Sequence, residues 1–339
     1  MPATAPLRSD VRTDVCVIGA GIAGLSTAYH LVKSGLSVAV LDAGPIGGGE
    51  TGRTTAHLSN AYDDRYYGTD GSRLIAESHT AAIDRIEAIV ATERIDCDFE
   101  RLDGYLFVPP GESTEELDRE LEAAHQAGLT DVERVARAPL PCFDTGPCLR
   151  FPRQGQFHPL RYLAGLARAI QRDGGGIFTE TAAVGVEGGC APRVRTAAGP
   201  EVNARAVVVA TNAPILDELV TDVVQAAYRT YAIGARVPRG EVPKALYWDT
   251  LDPYHYVRLA GQGELLIAGG EDHRTGQEDD GEERFHRLEE WTRERSPSRR
   301  SGSAGPARCW SLWTAWPSSA ALPPRPPTST WPPATPARA

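Results

Sequence analysis

The hydrophobic pattern opens with a short apolar run from Asp14 to Ile18 that ends in glycine. A run of this length, closed by a turn residue, predicts a parallel strand covered on both faces. From Ile22 to Ser34 the apolar positions take helical spacing, with Ile22, Leu25, Ala28, Tyr29, Leu31 and Val32 on one side. Gly35 stops that helix, and Leu36 to Leu41 is a second strand run ending at Asp42. Strand, turn, helix and strand within about 30 residues make one β-α-β unit.

Farther along, Ser72 to Glu93 predicts a long amphipathic helix, and Tyr105 to Val108 a strand stopped by Pro109 and Pro110. Thr114 to Ala127 predicts an acidic surface helix with Gly128 as its stop. Pro159 to Arg172 is a further helix that carries proline in its first turn. Between Ile177 and Thr211 several short strands follow, the clearest being the valine run from Ala206 to Ala210. Tyr228–Val237, Ala245–Asp249, Tyr254–Leu259 and Glu264–Ala268 read as strands with mixed faces, which suggests an antiparallel sheet in a second domain. Glu282 to Arg295 is a charged helix.

Composition narrows the function classes. The 339 residues carry 45 acidic against 35 basic side chains, a net charge of −10, which argues against nucleic acid as a partner. Six cysteines without a C-x-x-C predict neither a disulfide framework nor a zinc or iron–sulfur site, and no metal is expected. Met1 to Asp14 is polar, with no apolar leader, and no apolar run reaches the ~18 residues of a membrane span. The expectation is a soluble protein of a reducing compartment, the cytoplasm, with no integral membrane segment.

Residues 19–24 read GAGIAG, directly after a strand and at the start of a helix. Gly19 suits the tight turn, Gly21 a close backbone approach to a pyrophosphate, and Gly24 tight helix–strand packing. With Ala20, Ile22 and Ala23 they form a candidate dinucleotide site at a helix N-terminus. Asp42, 18 residues past Gly24, ends the second strand, where a carboxylate accepts ribose hydroxyls and repels a 2′-phosphate. The motif alone leaves FAD and NAD open. The loop Gly47–His57, GGGETGRTTAH, offers free N–H groups, hydroxyls and Arg53 to a second stretch of pyrophosphate. The competing reading is a solvated loop.

GAGIAG with Asp42, ETGRTTAH (Glu50–His57) and AVVVATNAP (Ala206–Pro214) resemble the D-amino-acid-oxidase-like (DAO) family of FAD-dependent oxidoreductases. The nearest likeness is to bacterial gamma-glutamylputrescine oxidoreductase-like members, some of which carry a Rieske domain. DGYLFVPPG (Asp103–Gly111), FPRQGQFHPLRYL (Phe151–Leu163) and ALYWDTLDPYHYVRL (Ala245–Leu259) resemble the same subgroup.

The resemblance spans about residues 12–295 and implies an α/β fold: a Rossmann-like FAD-binding domain with an interleaved substrate domain on a mixed or antiparallel β-sheet. The implied boundaries are 12–92 and 151–216 for the FAD domain, and 93–150 and 217–295 for the substrate domain. It further implies that Arg53, Thr54 and Thr55 line the pyrophosphate and flavin, that Ala183 or Val184 backs the adenine, and that Ala210 and Thr211 close the slot. His57 lies where some relatives attach FAD covalently; a non-covalent, packed histidine is expected here. Tyr247, Tyr254, Tyr256 and Arg258 are the implied amine pocket, in a cluster that also holds Tyr231, Trp248 and His255. The implied reaction is amine or amino-acid oxidation by hydride transfer to flavin N5, with oxygen or another electron acceptor and no named protein base. An NAD-dependent Rossmann dehydrogenase and a non-catalytic remnant are the other readings.

Residues 296–339 break from the rest. They hold ten of the 26 prolines, four of the six tryptophans, five arginines, and no Asp, Glu or Lys. This is the composition that GC-rich coding DNA gives out of frame, and a frameshift near residues 290–296 is expected, leaving a disordered Pro/Trp/Arg-rich tail. In the neighbouring frame Cys309–Ala320 can spell LEPVDGLAFIG and Pro327–Ala337 can spell NVYVATGDSG, segments like those that close over the flavin in the family. Loss of those segments would leave the chain poor at holding FAD or inactive.

Overall fold

The computed structural model describes residues 1–212, 227–275, 279–296 and 314–317. In chain order its first strands are β1 (Val11–Arg12), β2 (Val15–Ile18), β3 (Val38–Leu41), β4 (His57–Leu58), β5 (Glu100–Phe107), β6 (Glu133–Val135), β7 (Cys148–Gln156) and β8 (Gly176–Phe178). There follow β9 (Ala183–Glu187), β10 (Arg193–Thr196), β11 (Glu201–Asn203), β12 (Ala206–Val209), β13 (Ala227–Arg236), β14 (Leu246–Asp249), β15 (His255–Ala260), β16 (Leu265–Arg274) and β17 (Thr314–Pro317). The helices are α1 (Ile22–Lys33), α2 (Ser72–Glu93), α3 (Glu115–Gln126), α4 (Pro159–Arg172) and α5 (Gly281–Arg295).

The apolar runs build a four-stranded parallel sheet in the order β12-β2-β3-β8. β2 and β3 are buried at every position, as continuous apolar strands must be. α1 and α4 pack Leu25, Tyr29, Tyr162, Leu163, Leu166 and Ile170 into the core beneath them. Pro159 occupies the first turn of α4, where its missing N–H costs nothing. A small sheet, β1-β11-β10-β9, lies beside this domain.

The second sheet is mixed, in the order β17-β13-β16-β15-β14-β5-β7-β4, with β6 on β7. Only the β14–β5 pair is parallel. One face packs on α5 through Val257, Leu259, Leu266 and Leu288. The other packs on α2 and α3 through Leu106, Phe151, Ala76 and Leu117.

The fold is the α/β class expected, with the two domains interleaved. β7 runs through the boundary expected at 151, so the chain returns to the parallel-sheet domain only after Gln156. β4, expected in the first domain, pairs with the second sheet. Within the tail expected to be disordered, Thr314–Pro317 pairs with β13; the rest of 297–339 lies outside the described residues. No described helix is long and apolar enough to cross a membrane.

Candidate functional site

The glycine turn leaves β2 at Gly19, which adopts φ +111° and donates its N–H to Leu41 O at 2.7 Å. A Cβ on Gly19 would lie 2.3 Å from Ala210 O, and one on Gly24 would lie 1.8 Å from Gly19 O. The turn is therefore pressed between the end of β12 and the first turn of α1, a packing open only to glycine. Ala210 holds its place by donating its N–H to Ile18 O at 2.8 Å, and Thr211 follows it against Gly19.

α1 begins at Gly21 with no side-chain cap and no acid in its first turn. Its N-terminal dipole suits an anion over Ala20, Ile22 and Ala23, although the Ala20 and Ile22 N–H groups already have side-chain acceptors. Thr51 adds a hydroxyl there: its Oγ1 accepts the Ile22 N–H at 3.1 Å and sits 3.2 Å from where a Gly21 Cβ would lie. Nothing in the loop's sequence sets Thr51 apart from Thr54 and Thr55; its role shows only in the fold. Asp42 accepts the N–H of Ala20 at 2.6 Å on Oδ2 and of Gly44 at 2.8 Å on Oδ1. The Thr181 N–H bonds to Asp42 O at 2.7 Å, which brings the start of β9, at Ala183, toward the same end of the sheet.

The second loop divides. Arg53 is exposed and pairs with Glu50 at 3.7 Å. Thr54 Oγ1 accepts the Ala56 N–H at 3.1 Å, which supports Ala56 at φ +61°. Thr55 Oγ1 lies 3.2 Å from His57 Nδ1. The Arg258 Nε–H donates to Thr55 O, tying the loop to β15. The His57 ring meets Tyr256 edge-on, with centroids 5.3 Å apart, and its Nε2 is buried without a partner. Burial, then the Arg258 charge, pushes the His57 pKa down to about 3, so the imidazole is neutral. Burial also lowers Arg258, to about 10.

Strand alternation sorts the aromatic cluster. Tyr256 and Arg258 of β15, with Tyr254 just before it, face the loop, while His255, Val257 and Leu259 face α5. Trp248 pairs with Tyr256 and shares the loop-side face. Tyr247 does not join the group: it pairs with Val257, stacks on Tyr105 at 5.8 Å and donates its hydroxyl to Pro243 O at 2.9 Å, all on the opposite face. Tyr231 and His255 lie on that face too, against Phe285 and Trp291. Gly104 and Gly269 make room for the rings: a Cβ would come within 2.4 Å of Trp248 and 2.3 Å of Tyr256 respectively.

Two polar residues join the face that sequence alternation had hidden. Thr230 Oγ1 lies 3.2 Å from the Tyr256 hydroxyl. Asp272 bonds to Thr230, and its buried Oδ1 has no partner; burial raises its pKa to about 6 against that bond. Before Gly270, Leu266 and Ala268 face α5; after it, Glu271 and His273 do. A bulge at Gly270 and Glu271, both at positive φ, switches the parity and turns Asp272 to the loop side. Among the described residues no three His, Cys, Asp or Glu side chains gather to hold a metal.

The two halves suit FAD. An uncapped helix N-terminus over a glycine turn is suited to a pyrophosphate, a carboxylate at the next strand end is suited to a ribose, and the buried His57 imidazole borders the aromatic face.

A family model described as FAD dependent oxidoreductase (DAO) matches residues 14–323. YhfW of Bacillus subtilis (strain 168), whose name marks it as a Rieske 2Fe-2S iron-sulfur protein, is 30% identical over 293 residues, covering 82% of this chain and 56% of YhfW. Gamma-glutamylputrescine oxidoreductase of Escherichia coli (strain K12) is 30% identical over 287 residues, covering 78% of this chain and 66% of that protein. The chain thus spans between about half and two thirds of these relatives. Among solved structures, L-proline dehydrogenase from P. horikoshii matches with a TM-score of 0.73 at 18% identity, covering 90% of this chain and 82% of that one. Glycine oxidase from Geobacillus kaustophilus matches with a TM-score of 0.72 at 17% identity, covering 90% and 81%.

Proposed function

Because the chain belongs to the DAO family of FAD-dependent oxidoreductases, we propose that it oxidises a small amine or amino acid, the substrate lying against the loop-side face of β15. The observation that carries this reading is the clasp between the two halves: Arg258 donates to Thr55 O while Tyr256 meets His57. Through it an aromatic, partly acidic face is set directly over the loop beside the glycine turn.

Bound there, FAD would supply the two-electron oxidation chemistry, accepting a hydride from the substrate's α-carbon, with water hydrolysing the resulting imine. The chain's own residues bind and orient. Gly19, Gly21 and Gly24 give the pyrophosphate its approach to the α1 amides, and Asp42 meets the ribose. Thr54, Thr55 and His57 line the flavin side, and Ala183, Ala210 and Thr211 bound the slot. Tyr254 and Tyr256 close a dry aromatic wall on the amine, and excluding water there strengthens every polar contact inside. Arg258 has one N–H on Thr55 O and another 3.4 Å from Leu259 O, so its first role is to position the loop. His57, neutral and desolvated, is not a cation at working pH.

The relatives named for gamma-glutamylputrescine, glycine and L-proline support an amine or amino-acid substrate. The reducing cytoplasm is the proposed compartment, supported by the described cysteines being free. The electron acceptor is oxygen or an electron-transfer partner, and oxygen uptake during turnover distinguishes them. The test is anaerobic: flavin-loaded protein is mixed with an amine and amino-acid panel, and bleaching of the flavin bands is expected for at least one member. A protein that takes up NAD and no flavin refutes the reading.

A further inference from the structure

A buried charged cluster lies behind the substrate face, on the side that packs α5. Its members, Asp249, His255 and Glu271, are only 1%, 4% and 7% exposed. The Asp249 carboxylate, at the end of β14, accepts the His255 backbone N–H at 2.8 Å on Oδ1, and its Oδ2 faces the ring Nδ1 at 3.1 Å. The other ring nitrogen, Nε2, lies 3.3 Å from Glu271 Oε1 on β16. A neutral imidazole has one N–H, so this bridge is complete only when the ring carries two. Trp291 of α5 stacks on the same ring, with centroids 4.5 Å apart and planes 12° from parallel.

Glu271 shows what the cluster holds. It takes φ +59°, a conformation that strains most side chains and persists only where the surroundings enforce it. Its neighbour Gly270, at φ +145°, lies directly across from His255, and a Cβ there would come within 2.3 Å of Tyr254 O. The glutamate is gripped at three points. His255 faces Oε1, Arg287 Nε donates to Oε2 at 2.8 Å, and Arg284 Nη1 donates to the backbone oxygen at 3.1 Å. This grip falls on the bulge that turns the next residue, Asp272, to the opposite face. There Asp272 meets Thr230, Tyr254 and Tyr256, with Asp63 and Asp252 as the further charges.

We propose that His255 is a positioning residue: bridging Asp249 and Glu271 from behind the sheet, it locks the Gly270–Glu271 bulge and so holds the Asp272 carboxylate on the face where the amine binds. The part played by the amine rests on the oxidoreductase reading; the lock itself belongs to the chain without cofactor. A strained glutamate in the bulge, a histidine set between two acids, and two arginines of α5 aimed at one residue then share one cause.

The first test needs neither flavin nor turnover. The chain carrying isotope-labelled aspartate carboxyls is titrated by NMR, and the Asp272 resonance is the one that Asp272→Asn removes. Its midpoint is expected at about 6, because burial raises it against the Thr230 bond. In His255→Phe the released carboxylate should fall toward the ordinary value of about 4. A midpoint that stays near 6, or one that rises as the loss of a nearby positive charge alone would make it, overturns the proposal. So does a midpoint already near 4 in the unaltered chain. Glu271→Gln cuts the same bridge from the other side with little change of shape and should move the midpoint the same way, which keeps the test decisive if His255→Phe does not fold. The second test is kinetic, on flavin-loaded protein. His255→Phe should raise the KM of a cationic amine about 10-fold with less than about a twofold change in kcat, and should add less than about twofold once Asp272 is already Asn. An effect that persists in the Asp272→Asn background marks a general structural role and overturns the assignment. If no amine reduces the flavin of the unaltered chain, the oxidoreductase reading fails, while the NMR result still decides the lock.

Discussion

Gly24→Ala sets two effects of opposite sign against each other. Alanine is the better helix former by about 1 kcal/mol in a helix interior, so propensity alone would stabilise α1. Against this, the added Cβ would lie 1.8 Å from Gly19 O and 2.9 Å from Gly19 C. Ordinary contact would need about 1.5 Å more separation, and a Cβ has no rotamer by which to escape. Gly19 cannot yield either, because its own back lies against Ala210 O and its N–H is tied to Leu41 O. α1 must move off the sheet, which loosens Leu25 and Ala28 from the core. Forced overpacking of this kind costs about 3 kcal/mol, leaving a net loss of about 2 kcal/mol after the propensity gain. For a chain of this size that lowers the thermal midpoint by roughly 3 °C, measured by circular dichroism without cofactor. The same displacement carries the α1 amides away from the anion, so flavin affinity falls further than stability does. A Gly24→Ala variant with an unchanged midpoint would refute the tight turn on which the site is built.

Flavin bound by this chain should leave with the supernatant on acid precipitation, because His57 is held as a packed neutral imidazole; colour retained in the washed pellet, and lost in His57→Ala, would show a covalent link instead. Glu93 is held by Arg172 at 2.8 Å, Lys33 at 2.9 Å and the Tyr29 hydroxyl at 2.9 Å, and its carboxyl is lowered to about 2, chiefly by Arg172. Since the folded value lies below the unfolded one, its contribution is complete above pH ~4.5 and is lost as pH falls toward 2; Glu93→Gln should cost about 2 kcal/mol at pH 7 and little at pH 2–3 in urea melts. Asp272, raised to about 6, is ionised only above that pH. Asp272→Asn should raise the apparent KM of a cationic amine about 10-fold at pH 8 and remove the inflection near pH 6 in the profile of flavin reduction.

The first 42 residues were legible because each step there has a local cause. Apolar runs of strand length, helical spacing from Ile22 and glycines at the turn point the same way, and Gly35 closes α1 at φ +82° as its position suggests. β7 was not legible: Pro152 and Gly155 break its alternation, and Arg153 takes φ +57° within it, so only pairing with β5 reveals it as a strand. The aromatic cluster fell between these cases. Alternation separates Tyr254, Tyr256 and Arg258 from His255 and Val257, but says nothing of which set faces the cofactor. Tyr247 is decided by its cross-strand partner Val257, and Asp272 by a one-residue bulge. Both facts belong to register, which the chain specifies only through tertiary packing.

The loop and the substrate face are one unit through a buried guanidinium. Arg258 is 6% exposed, and burying its charge is costly enough to lower its pKa to about 10. The surroundings offset that cost with backbone carbonyls, Thr55 O from the loop and, more weakly, Leu259 O from its own strand. A carbonyl is a neutral partner, so the cation keeps a net field in the pocket and helps hold His57 unprotonated. The opposing field comes from Asp272, which the bulge places on the same face. Cation toward the loop and carboxylate toward the far end give the aromatic wall a direction. The proposed amine would meet the acid at one end and be kept from the guanidinium at the other, while Gly104 and Gly269 leave Trp248 and Tyr256 room on that face.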